Sequence, residues 1–233
     1  MKILFLTSGS GKVLNLILKR SGVLSKKIYL YGDFKKSCSE IAKKNKIQIL
    51  GHFKKSFFSD SLLAICKKNK IDYIISYSFL HKFEGKLLKV YNGRIFNSHH
   101  SILPAFRGKY FINEPRSKYP SKKIFERCLE FGTNVTGNTI HLVDKYLDNG
   151  QPILQSLLVY NNNSDPIKVR HELFKQEAQC IKQFMIWLIQ KRLISKKTKI
   201  IKRRKYLIKN AKYRLTLGNP FIPNLDYNSL HLF

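Results

Sequence analysis

An amide, two imidazoles and two hydroxyls stand together near the middle of the chain, in the sequence Asn-Ser-His-His-Ser-Ile-Leu-Pro at residues 97–104. A side-chain amide can hold a carbonyl oxygen, and an imidazole can move a proton. A carboxylate beside the imidazole would set its charge, and Asp148, in the sequence Leu-Asp-Asn-Gly at residues 147–150, is the candidate for that carboxylate. Together these side chains indicate proton transfer beside a polarised carbonyl group.

The spacing of the polar residues decides which of them face the same way. Side chains alternate along an extended strand, so Asn97 and His99 point to one side of it and His100 points to the other. We therefore assign the chemistry to Asn97 and His99, and a supporting structural role to His100. An aspartate in a turn commonly binds only neighbouring backbone N–H groups, so Asp148 gains a catalytic interpretation from the Asn-x-His pair.

A second candidate site is the sequence Ser-Gly-Ser-Gly-Lys at residues 8–12, between a predicted strand and a predicted helix. Backbone N–H groups of such a turn can bind an anion at the start of a helix, and Lys12 would add a positive charge. The residues do not match a Walker A motif, and Leu14 stands where a GxGxxG motif needs its last glycine. A phosphate site and an ordinary tight turn both remain open.

Apolar runs typical of buried strands alternate with helical patterns over the first half of the chain. The predicted strands cover residues 2–6, 27–31, 47–50, 72–76 and 94–97, and the predicted helices cover residues 12–20, 37–44 and 59–68. This alternation indicates an α/β fold with a mostly parallel central sheet and helices on both faces. Such sheets bind ligands at the carboxyl ends of their strands, which is where Asn97 and His99 lie.

The second half of the chain has a different order of elements. We predict a helix over residues 121–131, then two strands over residues 138–143 and 152–160 joined by the turn that contains Asp148. A long helix begins where a capping residue precedes Pro166 and runs to about Ile194.

The net charge of +30 is extreme for a chain of 233 residues, with 44 Lys and Arg against 14 Asp and Glu. Residues 191–214 carry much of it and contain no acid, and Tyr206 and Tyr213 lie among the basic residues. A basic surface attracts nucleic acid and phosphorylated molecules. Compositional drift in a chain rich in Lys, Ile and Asn is the alternative explanation, and the sequence leaves both open.

Composition also excludes several classes of protein. The four cysteines are scattered without a CxxC pair, so a zinc site is not expected and no metal is assigned. No apolar run approaches the roughly 20 residues of a membrane span, and the first residues predict a buried strand rather than a signal peptide. We expect a cytoplasmic protein without disulfides.

Four motifs in order carry a resemblance: Asn-x-His at residues 97–99, Ser-Ile-Leu-Pro at 101–104, Gly-Asn-Thr-Ile-His at 137–141 and Leu-Asp-x-Gly at 147–150. This set resembles the 10-formyltetrahydrofolate-dependent formyltransferases, and the likeness covers roughly residues 1–190. Within that family the chain is most similar to the phosphoribosylglycinamide formyltransferases of purine biosynthesis. The resemblance implies a Rossmann-like formyltransferase fold.

The resemblance implies roles for the three polar residues singled out above. The amine of a phosphorylated acceptor, most closely glycinamide ribonucleotide, would attack the formyl carbon of 10-formyltetrahydrofolate and form an oxyanion. Asn97 and His99 would stabilise that oxyanion, and Asp148 would raise the His99 pKa and take the amine proton directly or through water. No metal would be required.

The resemblance also implies binding residues. The folate pterin would lie between two loops, whose predicted contacts are Leu80, His81, Phe83, Ile140, Val143 and Asp144. The acceptor phosphate would bind the turn of Gly11, Lys12 and Val13, and Glu177 would contact the acceptor ribose.

Some features depart from the family pattern and keep alternatives open. The segment of residues 109–135 is longer than usual and lies on the acceptor side, and we assign residues 1–194 to the formyltransferase domain and 195–233 to a basic C-terminal extension. A formyltransferase acting on a nucleotide-linked amino sugar and a formyltetrahydrofolate deformylase are alternatives. A basic RNA-binding protein on an inactive formyltransferase fold is another. We expect small-molecule substrates, no membrane contact, and a monomer or homodimer, with nucleic acid not favoured.

Overall fold

The computed structural model describes residues 1–19, 22–52, 58–79, 81–106, 132–161 and 165–190. The strands are β1 (Ile3–Thr7), β2 (Ile28–Gly32), β3 (Gln48–His52), β4 (Tyr73–Tyr77), β5 (Ile95–His99), β6 (Val135–Leu142) and β7 (Pro152–Val159). The helices in the same part of the chain are α1 (Lys12–Leu18), α2 (Gly22–Ser25), α3 (Lys36–Lys44), α4 (Phe58–Lys68), α5 (Gly85–Val90) and α6 (Pro166–Ile189).

The strands form one seven-stranded sheet in the order β3-β2-β1-β4-β5-β6-β7. The first five are parallel to their neighbours, as expected where segments containing helices connect them. The strand β6 is antiparallel to both β5 and β7, and a turn joins it directly to β7. The predicted mostly parallel α/β sheet is therefore confirmed, and its last two strands form a hairpin at one edge.

Helices cover both faces of the sheet, which explains why every residue of β1 is buried. One face packs against α1, α3 and α6 and contains Phe5, Phe96 and Phe184. The other face packs against α4 and α5 and contains Leu6 and Ile95. Because side chains alternate, the central strands β1, β4 and β5 each contribute to both cores.

The predicted strands are all present, with β6 beginning three residues earlier than expected. The helix α6 begins at Pro166 as predicted, and the carboxylate of Asp165 accepts the Ile167 N–H at 2.8 Å as its cap. The short helices α2 and α5 were not expected from the sequence pattern. The predicted helix over 121–131, the basic extension 195–233 and the domain boundary at 194 lie outside the described residues.

No helix in the described part of the chain is long and apolar enough to cross a bilayer.

Candidate active site

The end of β5 sends its polar side chains to opposite faces of the sheet. Asn97 and His99 lie on the face covered by α4 and α5, where Ile95 of the same strand is packed. The Asn97 amide Nδ2 lies 3.2 Å from His141 Nε2, and His99 Nδ1 lies 3.6 Å from Asp148 Oδ1. The structure therefore brings Asn97, His99 and Asp148 together, as the sequence predicts, at the carboxyl end of a parallel strand.

The turn between β6 and β7 presents Asp148 to this cluster. The Asp144 carboxylate organises the turn by accepting the Tyr146 N–H at 2.8 Å. Gly150 lets the chain pass close to β6, because a Cβ there would lie 1.8 Å from the Leu142 carbonyl oxygen. Asp148 itself has φ 50°, a left-handed conformation that aspartate tolerates better than most residues. Its side chain is almost buried, so the carboxylate acts in a poorly solvated site.

His141 belongs to the same cluster, although the sequence analysis gave it no role of its own. The β5–β6 register places it directly opposite Asn97, and its Nε2 lies 3.7 Å from Asp148 Oδ1. Its ring is buried, with Nδ1 at 2.7 Å from the Leu142 carbonyl oxygen. The available signal was the alternation of Thr139 and His141 along one face of a predicted strand, but only the strand pairing shows which residue His141 meets.

Contacts with backbone carbonyl oxygens indicate which tautomer the imidazoles of His99 and His141 adopt. His99 Nε2 donates to the Phe106 carbonyl oxygen at 3.1 Å, and His141 Nδ1 donates to that of Leu142. In the neutral rings, His99 Nδ1 and His141 Nε2 are then acceptors, and both face the same oxygen of Asp148. A proton delivered to this cluster therefore meets three acceptor atoms within a few ångströms.

Burial controls the protonation of the two rings. It lowers the pKa of His99 from its usual 6.5 to about 4, although the charge of Asp148 acts in the opposite direction. Burial also lowers the pKa of His141. Asp148 raises the His99 pKa as expected, but desolvation of the ring is the larger effect, so the net pKa is lowered.

The loop after β5 is fastened to the β6–β7 hairpin. The Thr139 hydroxyl donates to the Ser101 carbonyl at 2.7 Å and accepts the Leu103 N–H at 2.9 Å. The wholly buried Asn138 amide donates to the Ser98 hydroxyl and the His99 carbonyl, at 2.6 Å and 3.0 Å. These bonds fix the backbone that carries His99, which is a requirement for precise proton transfer.

His100 points away from this cluster, as predicted from its position in the strand. Its Nδ1 donates to the Glu177 carboxylate of α6, and the other oxygen of that carboxylate accepts the Tyr77 hydroxyl at 2.9 Å. Glu177 is completely buried. The structure therefore places this predicted ribose ligand inside the protein, in contact with two side chains, rather than on an open surface.

The predicted folate loops differ in how their residues are placed. His81 and Phe83 join Phe58 and Phe79 in an aromatic cluster, with ring centroids 5.0 Å apart for the Phe79–His81 pair. Leu80 lies outside the described residues. Phe83 is buried in the core under α4 and α5, so the expectation that its side chain faces the folate is corrected, whereas His81 is partly exposed at the edge of the cluster.

The second predicted folate loop is attached to the sheet by a backbone hydrogen bond at Val143. Val143 packs beside the core under α4 and α5, and its N–H donates to the Ile95 carbonyl at 2.9 Å. The side chain of Ile140 is wholly buried in the opposite core, so the expectation that it faces the cleft is corrected because its strand position turns it towards α6. Asp144 is partly exposed beside the turn that it organises.

The predicted phosphate turn begins α1. Gly11 has φ 80°, and a Cβ there would meet Cys38 at 2.9 Å, so glycine is needed for both reasons. The first bond of the helix runs from the Asn15 N–H to the Gly11 carbonyl at 2.8 Å, which leaves the N–H groups of Lys12 and Val13 outside the helical ladder. The Lys12 side chain is exposed, whereas that of Val13 is core, so Val13 could contact an anion only through its backbone.

Groups of three or more His, Cys, Asp or Glu arranged to hold a metal ion are not found within the described ranges. The arrangement at β5 is instead suited to stabilising negative charge on an oxygen and to receiving a proton.

Comparisons with known proteins find similar sequences and similar structures. The sequence profile described as formyl transferase matches residues 1–184. The chloroplastic phosphoribosylglycinamide formyltransferase of Vigna unguiculata is 25% identical over 136 residues, covering 58% of this chain and 41% of that protein. The phosphoribosylglycinamide formyltransferase of Mycobacterium tuberculosis is 26% identical over 181 residues, covering 75% and 78%. The chain thus spans less than half of the plant relative.

The fold has solved counterparts. The crystal structure of phosphoribosylglycinamide formyltransferase from Bacillus halodurans superposes with a TM-score of 0.67 at 22% identity, covering 82% of this chain and 97% of that one.

Proposed function

The chain belongs to the formyl transferase family, and from this premise we propose that it transfers the formyl group of 10-formyltetrahydrofolate to the amine of glycinamide ribonucleotide in purine biosynthesis. The observation that carries the proposal is the meeting of Asn97, His99 and Asp148 at the end of β5. An amide donor, a neutral imidazole and a carboxylate are the groups that acyl transfer to an amine requires.

Asn97 is the group that stabilises charge on the formyl oxygen. One of its two amide hydrogens meets His141 Nε2 at 3.2 Å, which fixes the direction of the amide plane. The second hydrogen of the same nitrogen is the donor we assign to the oxygen as the amine adds. Donors held in place before the reaction lower the barrier most, because nothing has to reorient when the charge forms.

His99 and Asp148 are the groups that receive the proton of the attacking amine. The amine becomes positively charged as it adds to the carbonyl carbon, and it must lose a proton before the product forms. His99 Nδ1 and Asp148 Oδ1 both face the cluster as acceptors, 3.6 Å apart. Once protonated, His99 is a cation beside the oxyanion and adds to its stabilisation. As the intermediate collapses, the bond between the formyl carbon and N10 breaks, and the proton held by His99 or Asp148 passes to N10 of the departing tetrahydrofolate.

Binding of the two substrates is proposed for the ends of neighbouring strands. We place the pterin between the loop that contains His81 and Phe83 and the segment from Val143 to Asp148, which the partly exposed imidazole of His81 at the edge of the aromatic cluster supports. We place the acceptor phosphate on the turn of Gly11 and Lys12, which the exposed ammonium supports. A cytoplasmic location and a monomeric or homodimeric state complete the proposal.

The activity is tested by incubating the full chain with 10-formyltetrahydrofolate and one amine at a time. The amines are glycinamide ribonucleotide, an amino-sugar nucleotide and Met-tRNA, and a fourth reaction contains no amine. Formation of tetrahydrofolate only with glycinamide ribonucleotide is the expected result. Release without amine would indicate a deformylase, another preferred amine would change the acceptor, and no turnover with salt-dependent RNA binding would contradict the enzyme assignment.

A further inference from the structure

A closed network of three buried polar side chains lies behind the candidate active site. Glu177 of α6 accepts a hydrogen bond from His100 through one carboxylate oxygen and from Tyr77, at 2.9 Å, through the other. The rings of Tyr77 and His100 also meet edge to face, with centroids 5.3 Å apart. The network therefore ties the ends of β4 and β5 to the same residue of α6.

The burial of this network shows that it acts inside the protein. Glu177 has no exposed surface, and both Tyr77 and His100 are less than a tenth exposed. A carboxylate in such a place is stable only when it is paired and hydrogen-bonded, and here each oxygen has a donor. Contact between Glu177 and an acceptor ribose would require these side chains to move apart.

The charge of the network follows from its surroundings. Burial lowers the pKa of His100, but the charge and hydrogen bond of Glu177, with a smaller contribution from Asp148, raise it to a net value above 6.5. Tyr77 stays neutral because burial and Glu177 raise its pKa well above 10, with Arg170 as the only charge acting the other way on it. The direct contact between His100 Nδ1 and the Glu177 carboxylate, together with the raised pKa of His100, favours an imidazolium–carboxylate pair.

His100 follows His99 directly in the chain, so the pair lies next to His99 on the opposite face of the sheet. The groups that act on His99 besides its own burial are Asp148, which favours its protonation, and His100 and His141, which oppose it. Its Nε2 faces the Phe106 carbonyl. The positive charge of His100 is therefore one of the influences that keep His99 able to accept a proton.

We propose that Glu177 and His100 are positioning residues, and that their buried ion pair anchors the end of β5 to α6 and keeps a positive charge behind His99, so that His99 begins each turnover as a neutral proton acceptor. This inference rests on the proposed function, and it replaces the expected contact between Glu177 and the acceptor ribose.

Kinetics of Glu177→Gln across pH tests the proposal. Without its counterion the buried His100 becomes neutral, so the pKa of His99 rises and the acid limb of the kcat profile moves upward by about one pH unit. The KM for the acceptor stays within about twofold of the wild-type value, because no substrate contact is lost. The control is Glu172→Gln on the same helix, which removes only the pair between Glu172 and Lys175 and leaves the limb in place.

An unmoved acid limb in Glu177→Gln overturns the proposal, whether or not the KM rises. A tenfold rise in KM with an unmoved limb would return Glu177 to ribose binding. Wild-type protein without any formyl transfer would overturn the proposed function as well, so the two failures are distinguishable.

The charge of His100 is measured independently of activity in the wild-type protein. Nitrogen NMR of the histidine side chains in the full wild-type chain, assigned with His100→Asn, should show His100 as an imidazolium at pH 7.5. A neutral ring there overturns the proposal. His100→Asn keeps a donor near the Nδ1 position without the charge, and it should move the kcat limb in the same direction as Glu177→Gln.

Discussion

His99 and His100 follow one another at the end of β5 but face opposite sides of the sheet. His99 shares one carboxylate oxygen of Asp148 with His141, at 3.6 Å and 3.7 Å, and the Phe106 carbonyl holds its other nitrogen. His100 has the Glu177 carboxylate in direct contact. Burial is similar for both rings, so the difference in their protonation comes from how each meets its carboxylate.

The comparison shows how one strand end can hold both the histidine proposed to react and a histidine with a structural role. Longer contacts to a shared carboxylate leave His99 neutral and able to take up a proton. A close contact with a dedicated carboxylate raises the pKa of His100 and fixes its position. Four variants test this contrast, and they are described in order of decreasing effect.

Replacing Asp148 by Asn should have the largest effect, because it removes the carboxylate from the reactive side only. We expect kcat to fall roughly 10³-fold, within the range attributed to general acid–base groups, while the chain stays folded. Steady-state kinetics and circular dichroism measure the two quantities. Asp165→Asn is the control, since Asn also caps helices well. Turnover within threefold of wild type would remove Asp148 from the mechanism.

Replacing Asn97 by Ala should have the next largest effect on the reactive side. Loss of one oriented donor to an oxyanion lowers kcat by roughly 10²-fold or more. Asn69→Ala is the control, because the amide of Asn69 donates only to the Ile65 carbonyl of its own helix, at 2.9 Å. The assay is formyl transfer under saturating substrates, and an effect confined to KM would assign Asn97 to binding instead.

His100→Asn should act mainly on stability, by about 2–3 kcal/mol at pH 6. The folded pKa of His100 lies above its unfolded value of 6.5, so its contribution is complete below pH 6.5 and is lost as the pH rises through the folded pKa. The difference in unfolding free energy between wild type and variant should therefore shrink at high pH. Urea denaturation from pH 6 to 9 measures it, and a constant difference would contradict the ion pair.

Tyr77→Phe should have the smallest effect of the four. It removes a hydrogen bond to a charged acceptor, for which we expect a loss of about 1.5 kcal/mol. Tyr91→Phe is a matched control, because the Tyr91 hydroxyl is also buried and donates at 2.9 Å, but to the neutral carbonyl of Ile71. Denaturation of both variants should show the larger loss for Tyr77, and equal losses would argue that Glu177 is uncharged.

The sequence predicts the features that depend on local pattern. Continuous apolar runs identify β1 to β5 as strands covered on both faces, and the period of two separates Asn97 and His99 from His100. The capped start of α6 is equally local. These predictions are confirmed because the physical cause lies within a few neighbouring residues.

Features that depend on contacts between residues far apart in the chain cannot be predicted from local sequence patterns. The place of His141 follows from its register opposite Asn97, which no local pattern specifies. The low pKa of His99 follows from burial by several elements, and the burial of Glu177 follows from the docking of α6 against β4 and β5. Only the folded structure shows that Glu177, which we expected to contact the acceptor ribose, is bonded instead to Tyr77 and His100.

The bond between Tyr77 and Glu177 joins residues 100 positions apart, and that between His100 and Glu177 joins residues 77 positions apart. During synthesis on the ribosome, the strands β1 to β5 therefore emerge long before the helix that supplies their counterion. A nascent chain that ends before α6 already contains Asn97 and His99, but it lacks Glu177, the partner of His100. The proposed formyl transfer should thus appear late in translation, as the last described helix docks.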